Sequence, residues 1–283
     1  MKKFIVVTES GTDLPLDLAK LYNIHVLAMH VVMDDVDYQD GSIPVTNVYD
    51  YHKRTKKIPT TSAVNPNEYQ YSFQKITEEN PGCTIIHIGY SSKASCTYQN
   101  SLIGSEGMKN VYHVDSLNVT GGEAAIVIKA VQLTEECPDI EPKDLVEKIR
   151  NFVYRAKVSF IPGDLEYLKA GGRLSNASYL GACVLKIKPL IEILDGKLVV
   201  TQKYRGPMKR VAEKYVNEYI DRCNLDREQL YFIYSLGLEE EIKQRMEEIA
   251  KEKGFKKITW VQTGCVISTH CGPGAIGIAG FKM

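Results

Sequence analysis

Short apolar runs that alternate with helical segments are the feature that most limits the folds open to this chain. The runs at residues 3–7 (KFIVV) and 83–89 (CTIIHIG) are rich in β-formers and short, as buried strands are. Residues 25–33 and 111–115 have the same character, and helical stretches separate these runs. Strands separated by helices pair in parallel through right-handed crossovers. The first half of the chain is therefore predicted to be an α/β domain with a mainly parallel sheet.

The pattern changes after about residue 157. Apolar runs at residues 187–194 and 197–203 flank Asp195-Gly196, and Asp-Gly between β-formers predicts an antiparallel hairpin. Further short runs and two amphipathic helices follow, which together indicate a second domain of α+β type with a largely antiparallel sheet. The predicted domains are residues 1–157 and 158–283.

The composition excludes several classes of protein. The chain has 283 residues, of which 44% are hydrophobic and 25% are charged, so it is neither disordered nor fibrous. No apolar run reaches the ~18 residues of a membrane span. The apolar stretch near the N-terminus is shorter than a signal-peptide core of roughly 7–15 residues. We therefore expect a cytoplasmic protein without stable membrane insertion.

The formal net charge is zero, with 35 basic and 35 acidic residues. This balance argues against a general nucleic-acid binder. The charge is unevenly distributed, however, because acidic residues prevail before residue 150 and basic residues prevail after it. The basic excess is concentrated between Lys169 and Lys214. It is interpreted either as a solvated face or as a docking surface for an acidic or phosphorylated partner.

Several familiar chemistries lack their sequence signals. The seven cysteines form no CxxC pair and the six histidines show no metal-ligand spacing, so free thiols and no metal are expected. There is no GxGxxG, no Walker motif and no GxSxG elbow. A nucleotide-dependent enzyme is poorly supported, and no cofactor is expected.

A hydroxyl-rich segment follows the strand predicted at residues 83–89. Ser91, Ser92, Ser95 and Thr97 lie between this strand and the next predicted helix. Ligands of open α/β sheets bind beyond the carboxyl ends of strands, and a helix start presents unpaired N–H groups that favour an anion. One hydroxyl is expected to cap the helix, and the cluster as a whole predicts an anion site.

Two further clusters carry weaker signals. Thr60-Thr61-Ser62 follows Pro59 and is compatible with an ordinary loop. His270 precedes Gly272-Pro273-Gly274, a turn expected to follow a strand, and it either approaches a ligand or is structural.

A catalytic interpretation of these clusters also stays open. Ser92 or Ser95 could act as a nucleophile with His270 as base, in an acyl hydrolase or transferase. No orienting carboxylate at a recognisable spacing accompanies them.

Eight segments occur in an order that is typical of one protein family. They are TESGTDLP (8–15), PTTS (59–62), SSKASCTYQNS (91–101), VDSLNVTGG (114–122), LEYLKAGGRLS (165–175), LKIKPLIEILDGKL (185–198), KYRG (203–206) and HCGPGAIGI (270–278). Together they resemble the DegV family of bacterial fatty-acid-binding proteins, in one unit that spans about residues 3–281.

The resemblance implies a fold and a ligand. It implies a smaller N-terminal α/β domain, a C-terminal α+β domain and a long-chain fatty acid, such as palmitate, buried between them. It assigns carboxylate binding to Thr61, Ser62, Ser92, Ser95 and His270, which lie in the clusters that local chemistry selected. The implied role is that of a lipid carrier and not of an enzyme.

The sequence departs from the family pattern near this site. Cys96 stands where a glycine is usual, and Ala63-Val64-Asn65 replaces a common Gln-Pro-Ser. The opening Thr-Asp-Ser-Ser motif appears as Thr8-Glu9-Ser10-Gly11. The carboxylate-binding hydroxyls are retained.

The apolar wall of the implied fatty-acid site can also be assigned candidates. Each of these could equally be an ordinary core residue. They are Leu165, Leu168, Leu180, Val184, Ile187 and Ile191.

The resemblance also implies a partner. In the related system a separate fatty acid kinase converts the bound carboxylate to an acyl phosphate for phospholipid synthesis. Arg173 in GGRLS and Arg205 in KYRG lie in the basic stretch and could meet an acidic kinase surface. Each could instead pair with the N-terminal domain. Docking is favoured for Arg205, whereas Arg173 stays open.

Overall fold

The structure, a computed structural model, describes residues 3–173 and 187–283. The strands of these ranges are β1 (Phe4–Glu9), β2 (His25–Leu27), β3 (His30–Met33), β4 (Val36–Gln39), β5 (Thr60–Ser62), β6 (Thr84–Gly89), β7 (Val111–Asp115), β8 (Ala156–Ile161), β9 (Ile187–Leu194), β10 (Lys197–Arg205), β11 (Gln229–Tyr234), β12 (Lys257–Gln262) and β13 (Ile276–Phe281). The α-helices are α1 (Leu16–Tyr22), α2 (Thr46–Thr55), α3 (Pro66–Glu79), α4 (Thr97–Gly104), α5 (Thr120–Glu136), α6 (Pro142–Arg155), α7 (Leu165–Ala170), α8 (Met208–Cys223), α9 (Glu240–Glu252) and α10 (Cys265–Cys271).

The first sheet is parallel and has the order β2-β1-β6-β7. Strand β1 is buried along its whole length, and the apolar run at its start predicts a buried strand. Helix α3 begins with a capping box in which the Asn65 side chain accepts from the Glu68 N–H and the Glu68 carboxylate accepts from the Asn65 N–H. The predicted parallel sheet of the N-terminal half is confirmed.

A small antiparallel sheet of order β4-β3-β5 lies beside the parallel sheet. The prediction of one strand at residues 25–33 is wrong. The strand is interrupted between Leu27 and His30, and β2 and β3 belong to different sheets. The interpretation of residues 60–62 as an ordinary loop is also wrong, since they form β5 against β3. In both places the conformation depends on pairing with strands elsewhere in the fold. A strand of only three residues has almost no periodic pattern from which it could be predicted.

The second sheet has the order β10-β9-β8-β13-β11-β12. All neighbours are antiparallel except β11 and β12, and the β9–β10 hairpin turns at Asp195-Gly196 as predicted. The predicted α/β plus largely antiparallel α+β fold is confirmed. The exact division into residues 1–157 and 158–283 stays a prediction, although β8 opens the second sheet close to it.

Helix α5 packs between the two sheets because its first turn is built of small residues. A Cβ on Gly121 would lie 2.6 Å from an Ile233 side-chain carbon of β11, and a Cβ on Gly122 would lie 2.8 Å from Val158 of β8. Ala124 and Ala125 continue this close face and are fully buried. This small-residue helix thus joins the two halves through one continuous apolar core.

Helix α10 is an element that the sequence interpretation missed. His270 was expected in a turn after a strand, but it lies in the last turn of α10, and Gly272-Pro273-Gly274 links this helix to β13. Within residues 3–173 and 187–283, no helix combines the length and apolar character that crossing a bilayer requires.

Candidate functional site

A cavity of about 310 Å³ lies between the two halves of the molecule. Its wall is mainly apolar and takes residues from strand β5 of the small sheet, from the second sheet, from α7 and α10, and from the loops that follow the parallel strands. The apolar lining residues are Met29, Ala63, Tyr90, Ala94, Cys96, Val119, Phe160, Leu168, Leu198, Ile233, Tyr234, Val266, Ile267, Cys271, Ala275 and Ile276. The polar lining residues are Thr61, Ser62, Ser95, Thr120, Arg173, Thr263 and His270.

Thr61 and His270 meet at the polar part of the lining. Thr61 lies on β5 and His270 on α10, and the Thr61 Oγ1 to His270 Nε2 distance is 2.9 Å. Strand β5 is held by pairing of Thr61 with Val31 and of Ser62 with His30 in β3. The structure therefore brings together two predicted site residues that are far apart in the sequence.

The His270 ring is neutral at pH 7. Burial, and secondarily the charge of Arg173, lower the pKa of His270 to about 4. Nδ1 is buried and has no hydrogen-bond partner in the described parts of the chain. We assign the single ring N–H to Nε2, where it donates to Thr61 Oγ1, because a buried N–H without a partner is the costlier alternative. The Thr61 hydroxyl is then free to donate its own proton into the cavity.

The loop between β6 and α4 supplies Ser95. Its Oγ accepts a hydrogen bond from the Thr97 N–H at 3.2 Å, which closes a turn just before α4. The expected hydroxyl cap is not formed, because the N-cap position is Cys96 and makes no side-chain capping bond. The Ser95 side chain is half-buried and also lines the cavity. Ser91 is buried and donates to the Gly196 carbonyl at 2.7 Å, which fixes this loop to the β9–β10 turn.

Ser92 and Ser62 are more peripheral than the other predicted site residues. Ser92 is exposed and lines a shallower groove beside Ser95 instead of the cavity, and its N–H donates to Asp115. Ser62 is exposed but belongs to the cavity lining. Carboxylate binding by each of the five predicted residues stays a prediction.

A buried network of hydrogen bonds stabilises the loop between β6 and α4. The Glu9 carboxylate is fully buried and accepts from the Tyr69 hydroxyl, from the Tyr90 N–H at 2.9 Å and from His87 Nε2 at 2.5 Å. Tyr69 in turn contacts the Thr97 hydroxyl at 3.1 Å. Glu9 thereby holds both ends of the segment that carries Ser95.

The candidate wall residues have different environments. Leu168 lines the cavity, whereas Leu165 and Ile191 pack with it in a small apolar cluster and Ile187 is buried elsewhere. Leu180 and Val184 lie outside the described residues. Sequence reasoning missed Tyr90, Thr120 and Cys271, which looked like ordinary core or helix residues.

The two candidate docking arginines are exposed. Arg173 lines both the cavity and the groove beside it, and its Nη1 donates to the Gly171 carbonyl at 2.7 Å. Arg205 lies at the end of β10, an edge strand.

Known proteins are similar to this chain in sequence and in fold. The sequence model described as "Uncharacterised protein, DegV family" matches residues 3–282. A DegV domain-containing protein of Caldanaerobacter subterraneus is 29% identical over 281 residues, which cover 98% of each chain. A DegV family protein from Thermus thermophilus, described as fatty acid binding, superposes with a TM-score of 0.88 at 22% identity and covers 99% of this chain and 100% of its own.

A second solved structure has a similar likeness. A stearic acid-binding protein from Eubacterium ventriosum gives a TM-score of 0.81 at 22% identity, covering 100% of this chain and 98% of its own. Since the family match extends over nearly the whole sequence, the chain belongs to the DegV family.

Proposed function

We propose that this protein is a carrier that sequesters one long-chain fatty acid in the cavity between its two halves. The observation that carries the proposal is the lining itself, which is apolar over most of its surface and places hydroxyls and His270 together. The DegV structures described as binding fatty acids, including stearic acid, support the same ligand class.

The acyl chain supplies most of the affinity in this proposal. Each buried CH₂ group contributes about 0.8 kcal/mol. The carboxylate must leave water for the same site, which is costly unless donors replace its hydration. Thr61, Ser62, Ser92, Ser95 and His270 are the proposed carboxylate-binding group. Within this group, the Thr61 hydroxyl can donate its proton to the carboxylate, because its oxygen accepts the hydrogen bond from the His270 Nε2–H.

Native mass spectrometry of the purified protein tests the proposal. We expect an added mass equal to one long-chain fatty acid, or uptake of one equivalent of palmitate by protein from which lipid has been extracted. A protein that carries no lipid and takes up neither palmitate nor oleate would refute the proposal.

A threonine pair on β5 tests the role of the Thr61 hydroxyl. Thr61→Val retains the side-chain shape but removes the donor, which costs about 1.5–3 kcal/mol when the partner is charged. We expect a tenfold or larger loss of palmitate affinity by isothermal titration calorimetry. The control, Thr60→Val, changes an exposed neighbour that is absent from the cavity lining. Equal affinities for the two variants would remove Thr61 from the site.

The hydrolase alternative has less support from the site geometry. His270 Nε2 contacts Thr61 and not Ser92 or Ser95, and no carboxylate among the described residues contacts Nδ1. A general base needs hydrogen-bond reach to its nucleophile. Hydrolysis of p-nitrophenyl acyl esters that disappears in Ser95→Ala would favour the enzyme over the carrier.

The carrier is further proposed to present its bound carboxylate to a fatty acid kinase, which forms an acyl phosphate for phospholipid synthesis. Arg205 and Arg173 are the proposed contacts. The position of Arg173 on both the cavity and the outer groove supports a carboxylate held near the surface of the molecule.

A further inference from the structure

Helix α10, which carries His270, is held at its start by two carboxyl groups from the N-terminal half. The Gly264 N–H donates to Asp13 Oδ1 and the Cys265 N–H donates to Asp40 Oδ1, both at 2.7 Å. Asp13 follows the short turn after β1, and Asp40 follows β4. The helix thus belongs to the second half by sequence but takes its position from the first.

The two carboxyl groups are buried against one backbone position. Asp13 is 7% exposed and Asp40 is 8% exposed. A Cβ on Gly264 would lie 3.0 Å from Asp40 Oδ1 and 3.4 Å from Asp13 Oδ1, so glycine is the residue that lets both acids approach. Asp40 Oδ2 is buried and has no hydrogen-bond partner in the ranges that the structure describes. An uncompensated buried oxygen next to a second acid favours the protonated form of one of them.

Asp13 also reaches the cavity wall. Its Oδ2 accepts from the hydroxyl of Thr120, which lines the cavity and begins α5. Thr120 has a φ of 45°, a left-handed conformation that costs a β-branched residue free energy. The bond to Asp13 offsets part of this cost. One aspartate therefore joins the wall of the cavity to the helix that carries His270.

The surroundings of the pair are acidic or neutral. Burial is the main cause that raises the pKa of Asp13 and of Asp40, the hydrogen bonds that each accepts oppose this rise, and the charge of Asp40 adds a smaller rise at Asp13. The other titratable groups that interact with them are Glu123 of α5, Tyr90 of the β6–α4 loop, and Cys265 and Cys271 of α10. Burial raises the pKa of each of these four groups as well.

We propose that Asp13 and Asp40 are positioning residues, which set the place of His270 and of its hydrogen bond to Thr61 by holding the start of α10, and which do so best while one of the two stays protonated. The inference rests on the proposed function, because fatty-acid affinity is one of its readouts. Neither aspartate lines the cavity, and both act through α10.

The sign of the pH effect follows from the raised pKa values. A carboxyl group that ionises less readily in the folded state contributes stability at low pH, and this stability is lost as pH rises from its ordinary pKa through the raised one. Ionisation of the second acid then sets two anions against one backbone position. We therefore expect α10 to loosen and palmitate affinity to fall as pH rises.

Three variants test the inference by palmitate titration from about pH 4.5, just above the ordinary pKa of an aspartate, to about pH 9. Asp40→Ala removes the acceptor of the Cys265 N–H and should lower affinity roughly tenfold at the lower pH. Asp40→Asn retains that acceptor but cannot ionise, so its affinity should lie within about threefold of the parent at the lower pH and fall less with pH. Asp35→Asn, an exposed position on the same hairpin, should follow the parent. Ratios of variant to parent at each pH cancel the ionisation of palmitate itself.

A ligand-free measurement separates this inference from the proposed function. The His270 ring resonances in the NMR spectrum, assigned with His270→Gln, should shift in Asp40→Ala and be restored in Asp40→Asn. Unchanged resonances in Asp40→Ala, or identical pH profiles for Asp40→Asn and the parent, would overturn the inference. Failure of the parent chain to bind palmitate, with the His270 shifts present, would contradict the proposed function alone.

Discussion

At position 171 the structure leaves room for a hydrogen atom and for nothing larger. A Cβ there would lie 2.1 Å from His270 Nδ1 and 2.9 Å from its Cε1. The backbone of Gly171 is in the right-handed region at a φ of −65°, so glycine is not needed for conformation. Its role is to let the end of α7 close over the His270 ring.

Gly171→Ala should therefore displace the ring without unfolding the chain. The imidazole must move to relieve the overlap, and the 2.9 Å contact with Thr61 is then lost. We expect a tenfold or larger loss of palmitate affinity by calorimetry, with a change in unfolding free energy of about 1–3 kcal/mol.

The adjacent glycine supplies the control. A Cβ on Gly172 meets no atom of residues 3–173 or 187–283 within 4 Å, and asparagine tolerates its positive φ, so Gly172→Asn should bind palmitate as the parent does. Full affinity in Gly171→Ala would mean that the ring position does not matter for binding.

Individual site residues were predictable from the sequence to different degrees. Ser95 could be predicted because a cluster of hydroxyls between a buried strand and a helix start indicates an anion site. The resemblance to the family added Thr61 and His270. The contact between Thr61 and His270 could not be predicted, since the two residues are 209 positions apart and their contact depends on the packing of α10. The contacts of Asp13 and Asp40 with α10 could not be predicted, although Asp13 lies in the family segment TESGTDLP, because an acid after a strand is ordinary turn chemistry.

Strands β6 and β7 place two histidines side by side. His87 and His113 are register partners in the parallel pair, and their Nδ1 atoms are 2.9 Å apart. His87 Nε2 contacts Glu9, and His113 Nε2 contacts the Ser105 hydroxyl at 2.8 Å. When a neutral His113 donates from Nδ1 to His87, every ring nitrogen in this row of hydrogen bonds has a partner.

This register makes stability depend on pH. Burial, and secondarily His87, lower the pKa of His113 to about 3 from an ordinary 6.5. Between these values the unfolded chain binds a proton that the folded chain does not, so the unfolding free energy should fall as pH decreases. The expected slope is up to about 1.4 kcal/mol per pH unit for this group.

Urea unfolding of delipidated protein at several pH values measures the effect. His113→Gln removes the titrating group, so the parent should lose more stability than the variant between about pH 6.5 and about pH 4.5. The difference between the two proteins cancels the contributions of other titrating groups. Parallel stability curves would show that His113 is not the source.

The predictability of elements followed their length and burial. The amphipathic helices α3 and α6 have strong periodic patterns, and the structure confirms the hairpin predicted at Asp195-Gly196. The three-residue strands β2 and β5 and the short helix α10 have no such pattern. Their conformations depend on partners that are distant in the chain, such as β3 for β5 and the two aspartates for α10.

The uneven charge of the whole molecule bears on how the carrier meets a partner. Ser95 and Thr61 lie on the acidic N-terminal half, whereas Arg173 and Arg205 lie on the basic C-terminal half. Arg173 lines the cavity as well as the outer groove, so its replacement would change fatty-acid binding together with any docking. Arg205 is not among the cavity-lining residues, and it is the cleaner probe of a protein partner.

Arg205→Glu should separate docking from binding. The substitution reverses one exposed charge on an edge strand, so palmitate affinity should stay within about twofold of the parent. Phosphorylation of the bound fatty acid by the fatty acid kinase of the same organism should slow severalfold, and more so at low salt, because exposed charges act mainly on the association rate. Lys109→Glu makes the same charge change at an exposed position on the acidic half and should leave the rate unchanged. Equal slowing by both variants would indicate a general charge effect, and no slowing by Arg205→Glu would place the docking surface elsewhere.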